Sequence, residues 1–87
     1  MDEIDDLKAA GAPMLDVRTP AEFEQGHAPG SFNIPLDQLQ ARLGELDPAR
    51  PLLVCCASGA RSGMVQQFLM RSGFARVVNA GPWQRLL

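Results

Sequence analysis

Apolar and polar positions along this chain switch repeatedly between helical and extended spacing. Ile4 and Leu7 lie at helical spacing in Asp2 to Ala10, a stretch acidic at its start and stopped by Gly11, which predicts a first helix covering a sheet. Pro13-Met14-Leu15-Asp16-Val17 is an apolar run broken by one carboxylate and predicts a strand. Thr19-Pro20-Ala21-Glu22 has the form of a capping box with proline at the first helical position, so a short helix begins at Pro20. Gly26 to Gly30 is a turn, and Ser31 to Ile34 is the next extended piece, ended by Pro35. Leu36, Leu39 and Leu43 form one face of a helix with Asp37 as its N-cap and Gly44 near its end. The rigid Asp47-Pro48-Ala49-Arg50-Pro51 loop leads into Leu52-Leu53-Val54-Cys55, a run with the length and composition of a buried strand. Helical spacing returns at Val65, Phe68 and Leu69, with Ser62 expected as N-cap and Gly73 as stop, before a last strand at Val77-Val78-Asn79.

Alternation of this kind predicts an α/β fold: a parallel β-sheet with right-handed crossovers and helices on both faces. Ligands in such folds bind beyond the carboxyl ends of the strands. The loop at that end of the Leu52 strand carries the candidate chemistry. Cys56 is followed by Ala57, Ser58, Gly59 and Ala60, whose near-absent side chains let backbone N–H groups converge on one point, as in anion-binding concavities. The next helix aims its positive end at the same place. Cysteine reacts as its anion, and a helix N-terminus with Arg61 nearby lowers a thiol pKa, so Cys56 is the expected nucleophile. Arg61, with its planar fork of donors, is expected to orient an anionic substrate, and Ser62 to complete the cradle.

Two adjacent cysteines on a strand point to opposite sides, so Cys55 is assigned to the core and Cys56 to the loop. Counted from Cys55, the spacing to Arg61 is Cys-x5-Arg, the phosphate-cradling length of cysteine phosphatases. That pattern wants glycine three residues after the nucleophile, which is Ser58 from Cys55 and Gly59 from Cys56. The register therefore favours Cys56 and a loop closing on a smaller atom than a phosphoryl group.

Asp16 and Arg18 lie two apart on one strand face, a spacing for a paired structural role. His27, the only histidine, sits in a turn and reads as scaffold rather than as the base for Cys56. One histidine and two adjacent cysteines do not supply tetrahedral ligand spacing, so no metal is expected. Trp83, the sole tryptophan, reads as an anchor for the final turn.

The motifs together carry a resemblance. Cys56-x-x-Gly59-x-Arg61-Ser62 after an apolar strand resembles the active-site loop of the rhodanese-like single-domain sulfurtransferases. Leu15-Asp16-Val17-Arg18, Glu22-Phe23, Gly26-His27-x-Pro29-Gly30 and Asn33-Ile34-Pro35 match other signature segments of that family in order. The likeness runs from about Met14 to Trp83. The chain departs from the family at Cys55, where an aromatic residue is frequent, at Ala28, where a larger aliphatic is usual, and at Gly81-Pro82, where paired glycines are common. The resemblance implies a three-layer rhodanese-like fold over residues 1–87 as one domain. It also implies transfer of a sulfane sulfur from thiosulfate or a similar donor to cyanide or a thiol through a Cys56 persulfide. Asp16 and Arg18 would brace the active-site end. No cofactor is implied, since the cysteine carries the transferred atom. Expected partners are a small anionic sulfur donor, a thiol or cyanide acceptor, and a sulfur-relay protein. A module that keeps the scaffold without turnover is the alternative of a different class, which the presence of Cys56 disfavours.

Composition narrows the class. With 87 residues and 46% hydrophobic content, one small domain suffices. A formal charge of −2 gives no reason to expect nucleic-acid binding, and no apolar run approaches membrane-spanning length. Vicinal cysteines suit a reducing cytosol. All ten acids lie before Arg50, with three bases among them, and the five remaining arginines follow with no acid. Interleaving of the two halves in one sheet would let these charges pair rather than build a positive field.

Overall fold

The computed structural model describes residues 2–87. Helix α1 (Glu3–Ala9), capped by the Asp2 carboxylate, leads to strand β1 (Met14–Asp16). Helix α2 (Pro20–Glu24) and strand β2 (Phe32–Asn33) follow. Strand β3 (Leu52–Cys56), helix α3 (Ala60–Arg71) and strand β4 (Val77–Pro82) complete the main framework, and a 3₁₀ turn over Trp83–Leu86 ends it. The sheet is parallel throughout, in the order β2-β1-β3-β4.

Strand alternation divides the core into two apolar layers, one on each side of the sheet. Leu52, Val54 and Cys56 face Val65 and Leu69 of α3 together with Leu39 and Leu46. Leu53 and Cys55 face Leu7 of α1, Ala80 and Leu86. All five β3 residues are buried, as expected of a strand covered on both faces. Thr19 and Glu22 form the full capping box at the start of α2, which fixes how the chain leaves the end of β1.

Two local expectations are corrected. The segment carrying Leu36, Leu39 and Leu43 is not one helix capped by Asp37. It forms two 3₁₀ pieces, Leu36–Gln38 and Gln40–Glu45, with Pro35 at the N-cap position and no side-chain capping bond. The second piece is kinked at Arg42, and only Leu39 is fully covered by the core, while Leu36 is exposed. Without a cap the segment lacks the stabilised first turn an α-helix needs, and short 3₁₀ turns suffice to bring Leu39 to the sheet. Ser62 is likewise not the N-cap of α3. That position belongs to Gly59, in the left-handed region at φ +101, and Ser62 lies within the first turn.

The two charge halves do interleave. Arg61 pairs with Glu22, Arg76 with Glu3, and Arg85 with Asp2 and Asp5. These pairs tie the C-terminal half onto α1 and α2, so the arginines are largely compensated rather than gathered into a field. Among the described residues, no helix is long and apolar enough to cross a membrane.

Candidate active site

The carboxyl end of β3 delivers Cys56 to the turn Ala57-Ser58-Gly59, which hands the chain to α3. The turn closes tightly. A Cβ placed on Gly59 would lie 3.3 Å from the Gly81 Cα, so glycine is required there both by its positive φ and by the approach of β4. That approach comes from a register shift between β3 and β4. Val54 pairs with Asn79, but Cys55 pairs with Gly81, and the extra residue, Ala80, bends β4 over the loop.

Backbone donors converge on the Cys56 sulfur. The Gly59 N–H donates to Sγ at 3.0 Å and the Ser62 N–H at 3.4 Å, while the Ser62 hydroxyl lies 3.4 Å away. Burial pushes the Cys56 thiol pKa up, but the hydrogen bonds from Ser62 and from the Gly59 and Ser58 amides outweigh it, and the thiol lies below its ordinary value of 9.0. The cradle is narrower than the sequence suggests. The Ala60 N–H turns to the Ser58 hydroxyl at 3.4 Å instead of to sulfur, and Ala57 is exposed with its contribution confined to backbone shape.

Cys55 has the opposite surroundings. It is fully buried on the other sheet face beside Asp16, and burial together with the Asp16 charge pushes its thiol up to about 12. It does not enter the loop, so the phosphatase register, which needs Cys55 as nucleophile, has no cradle here.

Asp16 and Arg18 form a buried, multiply bonded pair on the face that holds Cys55. Arg18 Nε donates to both Asp16 oxygens at 3.0 Å and Nη2 to Oδ2 at 2.8 Å. Nη2 also donates to the Gly26 carbonyl at 2.8 Å, and the guanidinium lies over the Trp83 ring, 4.9 Å from its centroid. The pair thereby locks the β1 end to the Gly26 turn and to the C-terminal turn. Trp83 is half-buried and packs against the α1-side core as an anchor. His27 is exposed, stacked on Phe23 and bonded through Nδ1 to the Phe23 carbonyl at 2.7 Å.

Arg61 is at the mouth of the loop but not idle. Its Nη1 and Nη2 donate to the two Glu22 oxygens at 2.7 and 3.0 Å, and this arginine, together with the Thr19 amide and hydroxyl that also donate to Glu22, holds the Glu22 carboxyl down to about 2. Beside Arg61 a groove of about 530 Å³ is lined by Val17, Thr19, Pro35, Leu36 and Asp37.

Three participants escaped the sequence reading. Glu22 reads there only as a capping residue, yet it also holds Arg61. Asn33 donates through Nδ2 to the carbonyls of Asp16 and Arg18, both at 2.9 Å, pinning β1 from the neighbouring strand. Asn79 reads as the end of a strand, yet its side chain bonds Ser62, Gly59 and Gly81. An asparagine closing an apolar strand next to the Cys56 strand end was the available signal, because parallel neighbours bring their carboxyl ends together.

The family comparison agrees with this architecture. The Rhodanese-like domain family matches residues 1–81. A protein named sulfurtransferase from Allochromatium vinosum is 38% identical over 66 residues, covering 76% of this chain and 62% of that protein. Thiosulfate sulfurtransferase PspE of Escherichia coli is 35% identical over 69 residues, covering 77% and 66%. The chain thus spans less than two thirds of either curated relative. Among solved structures, human single-domain sulfurtransferase TSTD1 superposes with a TM-score of 0.78 at 26% identity, covering 95% of this chain and 88% of that one. With a matching sequence, a parallel four-stranded sheet and a cysteine loop at its carboxyl edge, the chain belongs to the rhodanese-like domain family.

Proposed function

We propose that this domain is a sulfurtransferase in which Cys56 carries the sulfur as a persulfide. The observation that supports the reading most is the convergence of the Gly59 and Ser62 amides on the Cys56 sulfur, with that thiol held below its ordinary pKa. In the first half-reaction the Cys56 thiolate attacks the outer sulfur of thiosulfate, or of a similar donor. The new S–S bond forms as the bond to the sulfonate sulfur breaks, and sulfite leaves with the electron pair. The persulfide then bears the negative charge on its terminal sulfur, where the fixed amide dipoles stabilise it without reorganising. In the second half-reaction cyanide or a thiolate attacks that terminal sulfur, taking it as thiocyanate or a new persulfide and returning the Cys56 thiolate.

Arg61 supplies the cation near the loop mouth. Because Glu22 occupies both of its terminal nitrogens, an anionic donor meets a compensated arginine and must use its remaining donors or displace the carboxylate. No cofactor is needed, as the thiol itself holds the transferred atom. Intact-mass analysis after incubation with thiosulfate tests the proposal. The expected result is a gain of one sulfur atom that cyanide removes as thiocyanate; an unchanged mass with thiosulfate and with polysulfide alike contradicts it.

A further inference from the structure

The bonds around Ser62 determine where its single hydroxyl proton goes. The Gly81 N–H can only donate, and it donates to Asn79 Oδ1 at 2.9 Å. The Gly59 carbonyl can only accept, and it accepts from Asn79 Nδ2 at 3.1 Å. These two backbone groups fix the orientation of the Asn79 amide, since exchanging its oxygen and nitrogen would set donor against donor and acceptor against acceptor. Ser62 Oγ lies 2.6 Å from that same Oδ1 and 3.2 Å from the Gly59 carbonyl oxygen, so the proton goes to the much shorter contact. Two oxygens at this distance need a proton between them, and only the hydroxyl has one.

The Ser62 proton is therefore engaged with Asn79, and the hydroxyl turns a lone pair toward the Cys56 sulfur 3.4 Å away. A lone pair accepts from the neutral thiol S–H and offers nothing to a thiolate. The help that the Ser62 hydroxyl can give the Cys56 thiolate therefore requires it to give up the Asn79 bond and rotate, and until then the Ser62, Gly59 and Ser58 amides act alone. We propose that Asn79 is a positioning residue that withholds the Ser62 proton from sulfur and so sets how readily Cys56 ionises. The proposal rests on Cys56 being the nucleophile, and it deepens that reading by assigning control of its charge to a residue on the neighbouring strand.

The other groups facing this sulfur do not change the argument. From α3 comes Arg61, compensated by Glu22 of α2. Across the sheet lie Cys55 and Asp16, the latter paired with Arg18. Asp37 stands at the rim of the groove beside Arg61. The residues of β1, of the chain just after it and of the 3₁₀ pieces that share the Cys56 core layer, Leu15, Val17, Leu39 and Leu43, are apolar.

The test is a ¹³Cβ NMR titration of the cysteines, which reads ionisation of Cys56 without requiring sulfur transfer. Asn79→Ala is expected to lower the Cys56 midpoint by about one pH unit, because the freed hydroxyl then has only the neutral Gly59 carbonyl, 3.2 Å away, as an alternative to the stronger charge-assisted bond with the thiolate. In a Ser62→Ala background the same substitution is expected to produce no such drop. Ser62→Ala alone is expected to leave the midpoint near that of the parent or to lower it, and this result stands even if Asn79→Ala does not fold. A midpoint that rises in Ser62→Ala, a drop that persists without the hydroxyl, or a rise or no change in Asn79→Ala overturns the proposal. Sulfur gain from thiosulfate, followed by mass in the same variants, reports separately on whether Cys56 acts as the sulfur carrier.

Discussion

Cys55 and Cys56 share a strand, a peptide bond and complete burial, yet their surroundings drive them in opposite directions. Cys56 ends the strand on the α3 side, where backbone N–H groups point at its sulfur. Cys55 faces α1 and the Asp16 carboxylate, so its anion would be buried beside a negative charge that the Arg18 guanidinium offsets only in part. Burial alone disfavours a thiolate in both places, so what separates the two thiols is the supply of fixed dipoles. Strand alternation, a property of period two, makes that division automatic. The same alternation keeps the two sulfurs on opposite sides of the sheet, which leaves Cys55 badly placed to resolve a Cys56 persulfide.

The largest effect is expected at Cys56, the proposed nucleophile. Cys56→Ser should abolish sulfur gain and thiocyanate formation, because a serine hydroxyl neither ionises in this loop nor forms a persulfide. Stability should respond most on the Cys55 side. Asp16→Ala strands the buried Arg18 guanidinium and should cost about 3–5 kcal/mol in urea unfolding. A loss under about 1 kcal/mol would mean that the pair is not the brace described here.

Arg61→Ala is expected to lower kcat/KM for thiosulfate by about 1.5–3 kcal/mol in free-energy terms, and to lower it less for an uncharged polysulfide. Equal losses with both donors would remove the arginine from donor binding. The smallest effects concern pH and compare the cysteines directly. Cys55 has a raised native pKa, so its contribution to stability is complete below the unfolded value of 9.0 and is lost as pH rises toward about 12. Cys56 has a depressed native pKa, so its contribution is complete above 9.0 and is lost as pH falls through the native midpoint. Urea unfolding between about pH 7 and pH 11 should therefore show Cys55→Ser removing an alkaline loss of stability and Cys56→Ser removing an alkaline gain. Slopes of the same sign in the two variants would contradict the division.

Much of this was legible in the residues. The parallel sheet followed from the alternation of strand and helix spacing, the capping box at Thr19 from its four residues, and the split of the cysteines from period two. The lapses share a physical origin. Asp37 and Ser62 have the side chains of N-caps, but capping depends on where the backbone turns, and Gly59 with its positive φ starts α3 three residues before Ser62. The Glu22 grip on Arg61 spans 39 positions and the Asn79 bond to Ser62 spans 17. Contacts of that range are set by the packing of elements, which residue types reveal only once the sheet order is known.

The division between the two cysteines is tested most directly by which sulfur receives an added atom. Peptide mapping of the protein after thiosulfate treatment, with persulfides trapped by alkylation, should place the added sulfur on Cys56 in the parent and in Cys55→Ser, and find none in Cys56→Ser. Added sulfur on Cys55, or a Cys56→Ser variant that still gains the atom, would contradict it.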